Sequence, residues 1–225
     1  MKLAPGMYAL LLVMGTASQA QTSSYPSMAP IDQYRMTRDA EIEMARSAAP
    51  ESVSRDAEIL VLAQHGLETA VKGKNGFVCL VMRSWAAGVD EPEFWNPKVR
   101  APICLNAAAA RSYLPHFVKK TEWVLAGLSK PQVSAKLNAA FDNHELTPPE
   151  PGAMCYMMSK QGHLSDRDGH WHPHLMFFAP ATDPEAWGAN LPASPLLAAQ
   201  DPAERLTIFL LPVDNWSDGT PGPTM

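Results

Sequence analysis

Predicted strands occur in two groups in this chain, one on each side of a helical region. Residues 58–85 contain three apolar runs, and residues 153–212 contain three more. Because the strands come in runs and do not alternate with helices, this order favours an α+β domain over a doubly wound parallel sheet. We therefore expect a mainly antiparallel sheet of five to six strands, with an N-terminal helix and a central helical pair.

The first group of strands carries a strong turn signal. Asn75 and Gly76 separate its second and third runs and supply the positive φ that a tight hairpin needs. The pattern predicts that these last two strands are antiparallel neighbours. The run over 77–82 is apolar on both faces, which is typical of a central strand covered on both sides. Residues 86–102 carry three prolines and are predicted to form a long loop.

Capping residues mark the predicted helices. Thr37 precedes a helix over 38–49, and Asn106 precedes an alanine-rich helix. Ser129, with Gln132 three positions later, predicts a capping box that opens the next helix. A cluster of prolines then ends the helical region, because proline cannot continue a helix interior.

The first twenty residues have the layout of a secretory signal. A lysine is followed by a short apolar run over 7–14, and small residues precede a predicted cut after Ala20. That run is too short to span a bilayer, which takes about 20 residues. We expect a signal peptide over 1–20, a flexible lead-in over 21–36, one domain over 37–215 and a loose tail over 216–225. The mature protein is then periplasmic or secreted, without a membrane anchor.

Charge and cysteine content narrow the function classes. The formal net charge is −5, and this mildly acidic balance gives no electrostatic footprint for nucleic acid or anionic lipid. The chain has three cysteines. In an oxidising compartment we expect a Cys79–Cys104 disulfide, with Cys155 left as a buried thiol or a soft metal ligand. The alternative is that all three are reduced and buried.

The stretch HWHPH, residues 170–174, is the strongest candidate site. His170, His172 and His174 alternate along the chain, and strand side chains two apart share a face. Pro173 lacks a ladder donor, so the regular strand is expected to begin at His174. The preceding loop offers the further candidates His163, Asp166 and Asp168, and the strand before it offers Cys155 and Met157.

Three interpretations of these histidines remain open. In the first they bind a metal, with Asp166 or Asp168 as a further ligand or as the general base of a zinc-dependent hydrolase. In the second they only order the loop. In the third they carry acid–base catalysis without a metal. Imidazole with carboxylate favours zinc, whereas sulfur from Met157, Met176 or Cys155 would favour copper, which we rank below zinc.

The stretches FVCLVMRSW and HWHPHLMFF together resemble a group of exported bacterial proteins with no established activity. The resemblance implies an exported single-domain protein and assigns no catalytic role. The leading hypothesis is therefore a histidine-rich metal site within residues 160–176. The competing hypothesis is a non-catalytic envelope protein that binds a ligand or partner through the aromatic loop around Phe94 and Trp95.

Overall fold

The structure, a computed structural model, describes residues 25–167, 169 and 172–223. Its eight strands are Glu58–Leu62 (β1), Leu67–Val71 (β2), Val78–Met82 (β3), Ala101–Leu105 (β4), Met154–Met157 (β5), His174–Pro180 (β6), Leu197–Asp201 (β7) and Leu206–Pro212 (β8). They form one sheet in the order β2–β1–β3–β4–β5–β6–β8–β7. The α+β class is confirmed, but the predicted number of five to six strands is too low.

The sheet is mixed, because β1 and β3 run parallel while the other neighbouring pairs are antiparallel. The prediction that β2 and β3 are hairpin neighbours is wrong. β2 instead pairs with β1 across a turn in which Ala63 N donates to Gly66 O at 2.8 Å. The reason is burial: β3 is apolar on both faces and takes an interior position, whereas β2 exposes Glu68 and Thr69 and lies at the edge.

β4 and β7 account for the difference in strand number. The segment predicted as a loop over 86–102 ends inside β4, which pairs with β3 along its whole length. β7 lies in a segment predicted to be a proline-rich surface stretch, and it pairs with β8 at the opposite edge of the sheet from β2. Both strands are short and lack the alternating pattern that marks the others.

The described helices are Arg38–Arg46 (α1), Glu51–Ser54 (α2), Ala107–Ser112 (α3), Leu114–Leu125 (α4) and Lys130–Asp142 (α5). The N-terminal helix, predicted over 38–49, ends at Arg46. The central region holds three helices and not the predicted pair, because the chain turns at Tyr113, which ends α3 and precedes α4. The predicted capping box of Ser129 and Gln132 is present at the start of α5.

The two faces of the sheet pack against different helices. Successive strand side chains point to opposite faces, so Cys79 and Val81 of β3 lie with Ala45 of α1 in one buried cluster. Leu80 of the same strand lies with Phe117 of α4 in the larger cluster on the other face. The sheet is therefore covered on both faces in its β1–β3–β4 half.

The segments that flank the predicted domain contribute buried residues. Tyr34, within the predicted lead-in, is fully buried and its hydroxyl donates to Trp95 O at 2.8 Å. Trp216, at the start of the predicted tail, is buried as well. Among the described residues, no helix is long and apolar enough to cross a membrane.

Cys79 and Cys104 form a disulfide, as predicted. They lie directly opposite each other in the β3–β4 pairing, so the sheet register itself brings the two side chains together. Cys155 is a buried thiol in β5, and burial raises the pKa of that thiol. A buried thiol with a raised pKa is a poor nucleophile, because the thiolate is the reactive form.

The thiol count tests this pairing. In denatured, unreduced protein we expect one titratable thiol per chain, from Cys155, since the other two cysteines are bonded to each other. Denatured protein treated with a reductant should give three. Three thiols without reductant would contradict the disulfide, and a Cys155→Ala variant should lower the unreduced count to zero.

Candidate functional site

The candidate site lies at one end of the β5–β6 hairpin. These two strands are antiparallel neighbours, and their register places Met157 directly opposite His174. β6 begins at His174, as the position of Pro173 predicted. The hairpin therefore brings one imidazole and one thioether side by side at the point where both strands meet the connecting loop.

A small cavity lies at this junction. It is lined by Pro102, Met157, Ser159, Gly162, Leu164, His172 and His174. The accessible space is about 20 Å³, and a cavity needs roughly 10–15 Å³ on this measure to hold one water. The space therefore fits a single water molecule or a single ion, and excludes an organic substrate.

His174 has a fixed orientation. Its side chain belongs to a residue that is only 3% exposed, and its Nδ1 lies 2.7 Å from His172 O. A carbonyl oxygen can only accept, so Nδ1 carries the proton and donates. Burial lowers the pKa of His174, which favours the neutral ring. A neutral ring with a protonated Nδ1 presents its Nε2 lone pair, which is the form that binds metals.

Asp166 lies in a separate polar cluster on the same loop. Its carboxylate accepts from Tyr25 OH at 2.5 Å and from Lys98 Nζ at 3.0 Å, and it lies 3.2 Å from His163 Nε2. These hydrogen bonds, with that from Tyr25 the largest, hold the pKa of Asp166 well below its usual range. A carboxylate so stabilised is a weak base, so its predicted role as a general base stays a prediction.

The loop is also held from a direction that the sequence does not signal. Asp166 N donates to the Glu93 carboxylate at 3.0 Å, and Asn96 Nδ2 donates to the same carboxylate at 3.0 Å. Glu93 is 73 residues from Asp166 in the chain, so no local pattern connects the two. Together, Glu93, Lys98 and Tyr25 fix the wall of the cavity that Gly162 and Leu164 provide.

The structure brings together only part of the predicted site. His172 and His174 line one cavity, whereas His163 lies with Asp166. Asp168 and His170 lie outside the described residues. Within the part of the chain that the structure describes, no three His, Cys, Asp or Glu side chains are grouped so that they could hold a metal ion. Met157, Ser159, Gly162 and Leu164 are the residues that complete the cavity, and of these only Met157 was a candidate.

Comparison of the chain with protein-family models, with curated proteins and with solved structures gave no match. The chemistry of the described residues is therefore the basis for assigning a function.

Proposed function

We propose that this protein binds one soft metal ion, Cu(I), in the cavity at the end of the β5–β6 hairpin. His172, His174 and Met157 are the ligands. The observation that carries the proposal is that these three side chains line one cavity with space for a single ion. Imidazole and thioether are both ligands that suit copper, and thioether sulfur selects Cu(I) over harder ions.

The ligand set decides between copper and zinc. A hydrolytic zinc site keeps three protein ligands from nitrogen, thiolate or carboxylate groups and one open position. Asp166 is held by Tyr25 and Lys98, and His163 lies with it. The cavity instead offers a neutral thioether, which is a poor zinc ligand. The geometry therefore supports copper binding better than zinc-dependent hydrolysis, which reverses the order that the sequence suggested.

The proposed compartment agrees with this chemistry. The predicted signal peptide over 1–20 would export the chain, and the Cys79–Cys104 disulfide is consistent with an oxidising environment. We propose that the mature protein works in the periplasm or outside the cell. There it would bind copper as a buffer or carrier, without catalysing a reaction.

Competitive titration tests the proposal directly. Mature protein is titrated anaerobically with Cu(I) in the presence of a chromophoric Cu(I) chelator. We expect one tightly held equivalent per chain in the wild type. Met157→Leu, which keeps the volume and removes the sulfur, should weaken Cu(I) binding at least about tenfold, the lower end of the loss seen when groups around a metal are changed. His174→Gln should do the same.

The chain offers matched controls for both substitutions. Met158→Leu changes a neighbouring buried methionine that does not line the cavity, and His163→Gln changes the histidine that lies with Asp166. Neither should alter Cu(I) affinity. The proposal fails if wild-type protein holds no copper against the chelator, or if Met157→Leu and Met158→Leu behave alike. In that case, a fall in melting temperature for His174→Gln alone would assign the histidines to ordering the loop.

A further inference from the structure

A second concave surface lies more than one element away from the histidines. It is formed by three segments, namely the N-terminal stretch, the loop that carries Trp95, and the turn between α4 and α5. Its lining residues are Pro26, Ser27, Met28, Trp95, Val124, Gly127, Leu128, Ser129, Lys130 and Pro131. We call this surface the Trp95 groove.

The Trp95 groove has the size and lining of a small-molecule site. Its volume is about 390 Å³, and ligand sites commonly enclose roughly 300–1,000 Å³ with a mainly apolar lining and few polar groups. Trp95 and Val124 are buried and form its floor, while Met28 and Leu128 are half-buried in its walls. Proline, methionine, valine, leucine and tryptophan side chains give the groove a predominantly apolar surface.

One cation stands at the rim of the groove. Lys130 Nζ donates to the main-chain oxygen of Glu91 at 2.9 Å and lies 5.3 Å from the centre of the Phe94 ring. It forms no ion pair with any residue that the structure describes. Burial lowers the pKa of Lys130, an effect that the more distant carboxylates of Asp90 and Glu91 oppose. An ammonium has three donors, so the contact with Glu91 leaves capacity for an anionic partner.

From this arrangement we infer that the Trp95 groove binds a small amphipathic anion, such as a medium-chain carboxylate. The apolar chain lies against Trp95 and Leu128, and the carboxylate pairs with Lys130. The groove supplies apolar area on one side and a single positive charge at its edge, so it complements a ligand that has one apolar end and one anionic end. This site is independent of the proposed copper site, since the two share no lining residue.

Binding of decanoate and of neutral decanol, each below its aggregation limit, tests the inference by calorimetry. Wild-type protein should bind both ligands saturably at one site. Lys130→Met keeps the apolar stem and removes the charge, and it should weaken decanoate binding about three- to fivefold while leaving decanol binding unchanged. That factor follows from the worth of a partly exposed ion pair.

Two further variants locate the site. Lys136→Met removes an exposed charge from the same helix, away from the groove, and should leave both affinities unchanged. Leu128→Trp fills the groove and should abolish binding of both ligands in a protein whose circular dichroism is native. The inference is overturned if decanoate does not bind wild-type protein in the submillimolar range, if Lys130→Met and Lys136→Met have equal effects, or if folded Leu128→Trp still binds.

Discussion

Replacing Glu204 with glutamine is expected to lower the free energy of unfolding by about 3–5 kcal/mol. Glu204 is 3% exposed, and its carboxylate accepts from Lys120 Nζ at 2.5 Å and lies 3.2 Å from His116 Nδ1. His116 Nε2 lies 3.0 Å from Thr147 O. Both ring nitrogens therefore face acceptors, and both Lys120 and His116 depend on the Glu204 carboxylate. Removing its charge leaves a buried ammonium without an anion.

The measurement is equilibrium unfolding in urea near neutral pH. Glu150→Gln is the matched control, because Glu150 also pairs with an arginine, Arg111, but both side chains are largely exposed. Exposed pairs contribute about 1 kcal/mol or less. A loss for Glu204→Gln no larger than that for Glu150→Gln would contradict the structural role of the buried cluster.

The same carboxylate should give the protein a characteristic acid response. Burial by itself would raise the pKa of Glu204, but Lys120 and His116 outweigh burial and lower it to about 2. In the unfolded chain a glutamate titrates near about 4.3. The stability that Glu204 contributes is therefore present above pH about 4.3 and is lost as the pH falls toward 2. Wild-type stability should fall more steeply than that of Glu204→Gln across this range.

The elements that the sequence predicted well are those with a local physical signal. Asn106 accepts from Ala109 N at the start of α3, and Ser129 with Gln132 opens α5, as their capping patterns predicted. β8 matches the predicted apolar run over 206–212, and β6 begins where Pro173 ends its interference with pairing. Each of these depends on residues that are within four positions of one another.

The missed strands depend on partners that are distant in the chain. β4 contains Pro102, which argues against an interior strand; β5 pairs only with Cys104 and Leu105, so β4 has no β5 partner at the proline. β7 has little β-forming sequence, but the Asn190 side chain accepts from Ala198 N and donates to Ala198 O at its outer edge. A side chain thus substitutes for a neighbouring strand.

The candidate site was only half predictable for the same reason. The alternation of His172 and His174 is visible in the sequence, but the position of Met157 beside His174 requires the hairpin register. The attachment of Asp166 to Glu93 and Tyr25 joins residues 73 and 141 positions apart. Local patterns indicate which ligand types are present, whereas tertiary pairing decides which of them share a cavity.

Replacing Arg83 with methionine is expected to cost a further about 3–5 kcal/mol of unfolding free energy by the same mechanism. Arg83 and Glu41 form an ion pair at 2.8 Å whose side chains are each 1% exposed. Arg83 also donates to the main-chain oxygens of Tyr34 and Val81, and Glu41 accepts from Leu62 N at 3.1 Å. The pair thus joins α1 to the ends of β1 and β3 and to the segment before α1.

Comparison of single and double variants separates the pair's net worth from the penalty of breaking it. Arg83→Met leaves a buried carboxylate in α1, so Arg83→Met with Glu41→Leu should recover part of the lost stability, because no unpaired charge then remains. Arg55→Met, which breaks an exposed pair with Glu51, is the control and should change stability by about 0.5 kcal/mol or less. If the double variant is less stable than either single variant, the cost lies in the lost contacts to Tyr34, Val81 and Leu62, and the charge pairing is secondary.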